Sequence, residues 1–102
     1  MKSIVLLCSA GMSTNLLIKK MKLAAEEVGI EVDIQAHPLH CDKNVFEHAD
    51  VVLVGPQIRS ELPKLQMVCK GRVDAIRLVD YGTLDGEKIL LHALQLLGVK
   101  HE

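Results

Sequence analysis

Cys8-Ser9-Ala10-Gly11-Met12-Ser13-Thr14 places a thiol at the head of a run of small and hydroxyl-bearing residues. Ala10, Gly11 and Ser13 leave the main-chain amides unobstructed. A helical pattern begins directly afterwards, so those amides carry the positive end of a macrodipole. One such cradle stabilises a thiolate and also receives an oxyanion. The chemistry within reach is phosphoryl acceptance, with Cys8 as nucleophile and Ser9, Ala10, Gly11, Met12, Ser13 and Thr14 as the phosphate loop. A lone free cysteine is more often a small buried hydrophobe. What reverses that reading is its place between strand and helix, with Gly and Ser/Thr close behind. Ser13 and Thr14 read either as phosphate-contacting hydroxyls or as helix caps.

Other thiol chemistries on the same scaffold are distinguishable. A low-molecular-weight phosphatase or an arsenate reductase would use the Cys8 loop too, but the phosphatase pattern C-x5-R-[ST] needs arginine where this chain has Thr14. Without a guanidinium fork on the equatorial oxygens, hydrolysis loses its main stabiliser. Asp80 and Asp85 qualify as its general acid on spacing alone. A flavin carrier would want aromatics around the ring, and Tyr81 is the single candidate. His37-x-x-His40-Cys41 lacks a second ligand pair and reads as solvated loop, so no metal is expected. Lys19, Lys20 and Lys22 read as a solvated helix face. His48, His92 and His101 have no partner that sequence identifies, and Cys69 reads as structural.

The elements that must hold Cys8 follow from periodicity. Ser3 to Leu7 and Asp50 to Val54 are continuous apolar runs, as expected of strands covered on both faces. Leu17, Met21, Ala24 and Val28 share one face of a helix that Gly29 ends. Ile30 to Ala36 alternates as a strand at a sheet edge, broken by His37-Pro38. Leu39 to His48 is loop with a short helix. Gly55-Pro56 stops the third strand, and a helix within Ile58–Lys70 turns Leu62, Leu65 and Val68 inward, with Pro63 in its first turn. Val73 to Ile76 is a fourth strand. Asp85 caps a last helix that buries Ile89, Leu90, Ala93, Leu94 and Leu97 and closes at Gly98.

Alternation of this kind predicts an α/β, flavodoxin-like three-layer sandwich with a four-stranded parallel sheet of order 2-1-3-4 and helices on both faces. Ligands in such sheets bind beyond the carboxyl ends of the strands at the switch between strands 1 and 3. The loop starting at Cys8 and the loop Gly55-Pro56-Gln57 must meet there.

With 102 residues the chain is read as one domain, 1–102. Net charge −1, and Phe46 and Tyr81 as the sole aromatics, leave neither a basic footprint nor a stacking platform, so nucleic acid is not an expected partner. Three cysteines without paired spacing fit a reducing cytosol. The apolar run before Cys8 is too short for a secretory core of roughly 7–15 residues.

Three motifs in register, Cys8 to Thr14, then Gly55-Pro56-Gln57-Ile58 with Leu62-Pro63, then Tyr81-Gly82-x-x-Asp85-Gly86, resemble the IIB proteins of the bacterial sugar phosphotransferase system. The branch is the lactose/cellobiose/chitobiose type, and the likeness runs from about Ser3 to Gly98. The resemblance implies that Cys8 takes phosphate from a phosphohistidine IIA protein. It then passes the phosphate to a sugar, a β-linked disaccharide at branch level, bound by the membrane permease IIC. It also implies a site rim of Gly55, Pro56, Gln57, Tyr81 and Gly82, and no metal or other cofactor. The expected setting is a cytoplasmic monomer that docks at the permease. Arg77 departs from the family, which carries an acidic or neutral residue there, and so changes the charge expected near the rim.

Overall fold

The computed structural model describes residues 1–8 and 12–98, with backbone alone for 12–14. Strands β1 (Lys2–Cys8), β2 (Val32–Pro38), β3 (Val51–Val54) and β4 (Arg72–Ala75) form one parallel sheet ordered β2-β1-β3-β4. Ile4 pairs with Ile34 on one side and Val51 on the other, and Val51 pairs onward with Arg72. The chain leaves β1 toward β2 and crosses back to β3. That reversal opens a crevice beyond the carboxyl ends of β1 and β3.

Side-chain alternation along β1 and β3 builds a core on each face of the sheet. Ile4, Leu6, Val51 and Leu53 pack with Leu17 and Met21 of α1 (Met12–Val28) and Ile89, Leu90 and Leu94 of α4 (Gly86–Leu97). Val5, Leu7, Val52 and Val54 pack on the other face with Phe46, Ala49 and Leu65, the last from α2 (Leu62–Val68). Every residue of β3 is buried. Burying one such side chain fully contributes about 1.5–3 kcal/mol, so these two short strands anchor both layers.

The helices end where sequence signals place them. Gly29 adopts φ 72°, and the Gly29 and Ile30 amides donate to Glu26 and Ala25 carbonyls, a Schellman closure of α1. The Asp85 carboxylate accepts from the Lys88 amide at 3.1 Å to cap α4, and Gly98 closes it with φ 77°. A 3-10 turn, Pro56–Glu61, precedes α2, and Pro63 sits in that helix's first turn.

Four expectations need correction. His37 and Pro38 do not break β2 but complete it, because an edge strand tolerates proline and Pro38 pairs with Cys8. Val28 and Val68 are the last residues of α1 and α2 and lie exposed rather than in the core. Leu97 is only partly buried, packed at the margin of the α1/α4 core. Between β4 and α4 the chain forms an additional short helix, α3 (Leu78–Gly82). Leu84 then takes the left-handed φ of 52° that turns the chain toward its cap at Asp85.

Candidate active site

Cys8 is the last residue of β1, only 2% exposed, and belongs to neither apolar cluster among the described residues. Its backbone is tied on both flanks. The Cys8 carbonyl accepts from the Leu39 amide at 3.0 Å, and the preceding Leu7 carbonyl accepts from the Gly55 amide at 2.9 Å. These bonds extend the β1–β2 and β1–β3 ladders to the end of the sheet, where the crevice begins.

Gly55 explains the space around the sulfur. A side chain there would place its first carbon 3.7 Å from Cys8 Sγ and 3.0 Å from Gln57 Oε1. Glycine thus leaves a gap that the thiol and the Gln57 amide face together. Its φ of −61° suits any residue, so clearance rather than backbone freedom is what a side chain would forfeit. Pro56, half-buried, starts the 3-10 turn that swings Gln57 back over the gap.

Ser9, Ala10 and Gly11 of the sequence-assigned phosphate loop lie outside the described residues. Met12, Ser13 and Thr14 form the first turn of α1, so the helix N-terminus follows Cys8 after three residues. The first-turn amides of any helix lack intrahelical partners and favour an anion. The structure thus brings Cys8, Gly55, Pro56 and Gln57 to the same end of the sheet as the start of α1. Tyr81 and Gly82, the other rim candidates, lie on α3. Tyr81 packs partly buried against the α1/α4 core, and Gly82 has open space where a side chain would stand.

Three arrangements here had no sequence signal: a buried carboxylate, a carboxylate–imidazole pair and the cleft beside them. Asp80 of α3 is the one buried charged residue among those described, 5% exposed, with its carboxylate 4.0 Å from Arg77 Nε. His92 of α4 sets Nε2 2.8 Å from Asp74 Oδ2 at the end of β4. The pair is 18 residues apart in the chain and only the fold joins it. Arg59, Arg77, Asp74 and His92 line an open cleft of about 430 Å³ that starts at Pro56. Cys41 and Cys69 sit under the opposite face. Burial pushes both thiols up from their ordinary value, with Asp42 adding at Cys41 against a backbone hydrogen bond, and Glu47 adding at Cys69. Among the described residues no group of three His, Cys, Asp or Glu side chains could hold a metal, and no helix is long and apolar enough to cross a membrane.

A parallel sheet of order 2-1-3-4, with a thiol at its switch point beside a glycine gap and a helix start, defines a class: small α/β proteins whose site lies at the carboxyl ends of the strands. The comparisons narrow it. A family model described as "PTS system, Lactose/Cellobiose specific IIB subunit" matches residues 3–92. The chain is 42% identical over 100 residues to the oligo-beta-mannoside-specific EIIB component of Bacillus subtilis, covering 95% of this chain and 97% of that protein. It is 36% identical over 104 residues to the galactose-specific EIIB component of Lactococcus lactis subsp. cremoris, covering 94% and 96%. The solution structure of the cellobiose-specific IIB component protein from Borrelia burgdorferi superposes with a TM-score of 0.77 at 33% identity, covering 99% of this chain and 95% of that one. The lactose-specific IIB domain of Streptococcus pneumoniae, at 18% identity with the same TM-score, shares the fold; it covers 92% of this chain and 95% of that one.

The chain belongs to the lactose/cellobiose-specific IIB subunits of the sugar phosphotransferase system. It is a phosphotransferase component of sugar uptake that works with IIA and IIC partners.

Proposed function

We propose that Cys8 carries the phosphoryl group as a phosphocysteine. What supports this is the sulfur's position beside the Gly55 gap, at the one point where β1 gives way to the start of α1. In the loading step the Cys8 thiolate attacks phosphorus in line. The S–P bond forms as the N–P bond to the IIA histidine breaks, and the imidazole leaves with its electron pair. In the unloading step a sugar hydroxyl held by IIC attacks the same phosphorus. The O–P bond forms as the S–P bond breaks, sulfur departs as thiolate with the bonding pair, and the hydroxyl proton passes to water. Ser9 to Thr14 hold the phosphoryl oxygens through main-chain amides, and Gly55, Pro56 and Gln57, with Tyr81 and Gly82 further out, form the rim. The work is done on the cytoplasmic side, docked at the permease.

The relatives' names differ in sugar, with an oligo-β-mannoside, galactose and cellobiose among them, while the IIB scaffold is shared. Choice of sugar therefore falls mainly to IIC, and a β-linked disaccharide is the substrate class proposed. The test is mass spectrometry after exposure to a phosphorylated IIA protein. One acid- or iodine-labile phosphate on Cys8 is expected, absent in Cys8→Ser and retained in Cys41→Ser and Cys69→Ser. Unchanged labelling of Cys8→Ser would refute the assignment. Turnover of a simple aryl phosphate should be negligible, because Thr14 stands where a phosphatase needs arginine.

A further inference from the structure

We propose that the two adjoining hollows around Arg77 and His92 bind a phosphorylated sugar, the product of the uptake reaction, with Arg77, Arg59 and Lys88 on its phosphate and Asp80 on its hydroxyls. The choice of ligand rests on the sugar-phosphorylating reading above, while the site itself uses none of the chemistry of Cys8.

Asp80 is the residue that asks for a ligand. Its side chain is 7% exposed, and it lines a hollow of about 260 Å³ together with Arg77, Lys88, His92 and Gln95. Its carboxylate has no hydrogen bond among the described residues. Arg77 Nε stands 4.0 Å away, beyond hydrogen-bond reach. A carboxylate so enclosed ordinarily has donors on its oxygens. Asp74 supplies the contrast. Its Oδ1 accepts from the Ala75 amide at 2.8 Å and its Oδ2 pairs with His92 Nε2 at 2.8 Å, so both oxygens are engaged. One carboxylate of the cluster is satisfied, and the other borders a cavity and lacks O–H or N–H donors.

Cations border the same space. Arg77 and His92 also line the adjoining cleft of about 430 Å³, which Arg59 shares. The Arg77 side chain is 75% exposed, and with Nε toward Asp80 its terminal nitrogens are left for a bidentate acceptor. Arg59 is exposed and has no ion pair among the described residues. Lys88 reaches the Asp85 carboxylate only at 3.9 Å and is 67% exposed, a pairing too weak to hold its ammonium.

These groups select a chemical class. Inorganic phosphate would answer the cations but leave Asp80 without donors. A neutral sugar would answer Asp80 and leave the cations. No aromatic residue lines either hollow, so a nucleobase has no platform. A molecule with a phosphate at one end and hydroxyls along the rest meets both demands. Small-molecule pockets span roughly 300–1,000 Å³, so one such ligand fits by extending across Arg77 and His92 through both hollows. Pro56 borders the wider hollow and directly follows Gly55 at the Cys8 gap, so the product would lie next to the point where phosphate is loaded.

The experiment is an amide NMR titration of the full, unphosphorylated chain with phosphorylated cellobiose, with cellobiose and with inorganic phosphate. Phosphorylated cellobiose is expected to shift Lys88, His92 and Gln95 saturably and to bind at least about tenfold tighter than either fragment. Arg77→Ala and Arg59→Ala should each weaken it about tenfold. Asp80→Asn keeps the shape and removes the acceptor charge. It should weaken phosphorylated cellobiose about tenfold and leave inorganic phosphate unweakened, a split that a merely structural carboxylate would not produce. Thermal melting checks that each variant is folded, and Lys88→Ala, on an exposed side chain, carries the test should Asp80→Asn not fold. Equal affinity for inorganic phosphate and phosphorylated cellobiose would overturn the proposal. So would shifts confined to Met12–Thr14, which would give the ligand to the Cys8 loop, or unchanged affinity in the folded variants. No phosphate is transferred in this titration, so failure of Cys8 to label would refute the phosphocysteine reading alone.

Discussion

Cys8 Sγ and Gly55 face each other across the β1–β3 boundary, with 3.7 Å between the sulfur and the point where a side chain on Gly55 would begin. Gly55→Ala should be tolerated, since its methyl meets the sulfur at ordinary contact distance and displaces only the movable end of Gln57. Gly55→Val adds two further methyls to the gap. It is expected to slow phosphate uptake from IIA at least about tenfold, while overpacking lowers stability by about 1–3 kcal/mol. Transfer kinetics alongside urea denaturation check this, and equal rates for valine and glycine would contradict it.

Gly86 tests how closely the helices must approach. A β-carbon there would stand 2.6 Å from Lys20 Cβ and 2.8 Å from the Met21 amide nitrogen of α1. Helix propensity alone would favour alanine by up to about 1 kcal/mol. The clash is with backbone, which cannot step aside, so Gly86→Ala should destabilise by about 1–3 kcal/mol, read as a lower urea midpoint.

At the far end of the sheet, Asp50 Oδ2 accepts from the Ser3 amide at 2.8 Å while Ser3 Oγ accepts from the Asp50 amide at 3.1 Å. Asp50→Ala strands a part-buried amide and should cost about 1–3 kcal/mol. Phosphate uptake at Cys8 should be unaffected at temperatures where the variant is folded, because the clamp lies at the opposite ends of β1 and β3. A fall in uptake by the folded variant would show that the two ends are coupled.

Cys69 gives a pH dependence whose sign follows from its raised value. In the unfolded chain the thiol ionises around its ordinary 9.0, while burial, helped by Glu47, keeps the folded thiol protonated to higher pH. Above the unfolded value the native state therefore binds more protons, and stability falls as pH rises. Wild type should lose more stability between pH 8 and pH 10 than Cys69→Ala does, measured as the shift in urea midpoint. Parallel shifts would show that the thiol does not contribute.

Much of the sheet was legible because burial on both faces leaves its mark on composition. Ile4 to Leu7 and Val51 to Val54 are apolar at every position, and a cysteine at the end of the first run already indicated the switch point. The strand order and the caps at Gly29, Asp85 and Gly98 followed from equally local chemistry. Val28 and Val68 misled because periodicity marks a helix face but not how far along the helix burial extends, and both are the last residues of their helices. The apolar pair Leu78-Val79 gave no hint of an exposed helix, and Arg77, Asp80 and the Asp74–His92 pair acquire meaning only once β4, α3 and α4 converge. Hydrogen bonds between residues 18 apart in different elements leave no periodic trace.

The two amides that clasp the end of β1, from Leu39 and Gly55, come from neighbouring strand extensions rather than from the loop that follows Cys8. The backbone that carries the sulfur is thus held from both sides by the sheet itself. Anything that shifts either neighbouring strand therefore shifts the backbone of Cys8 with it.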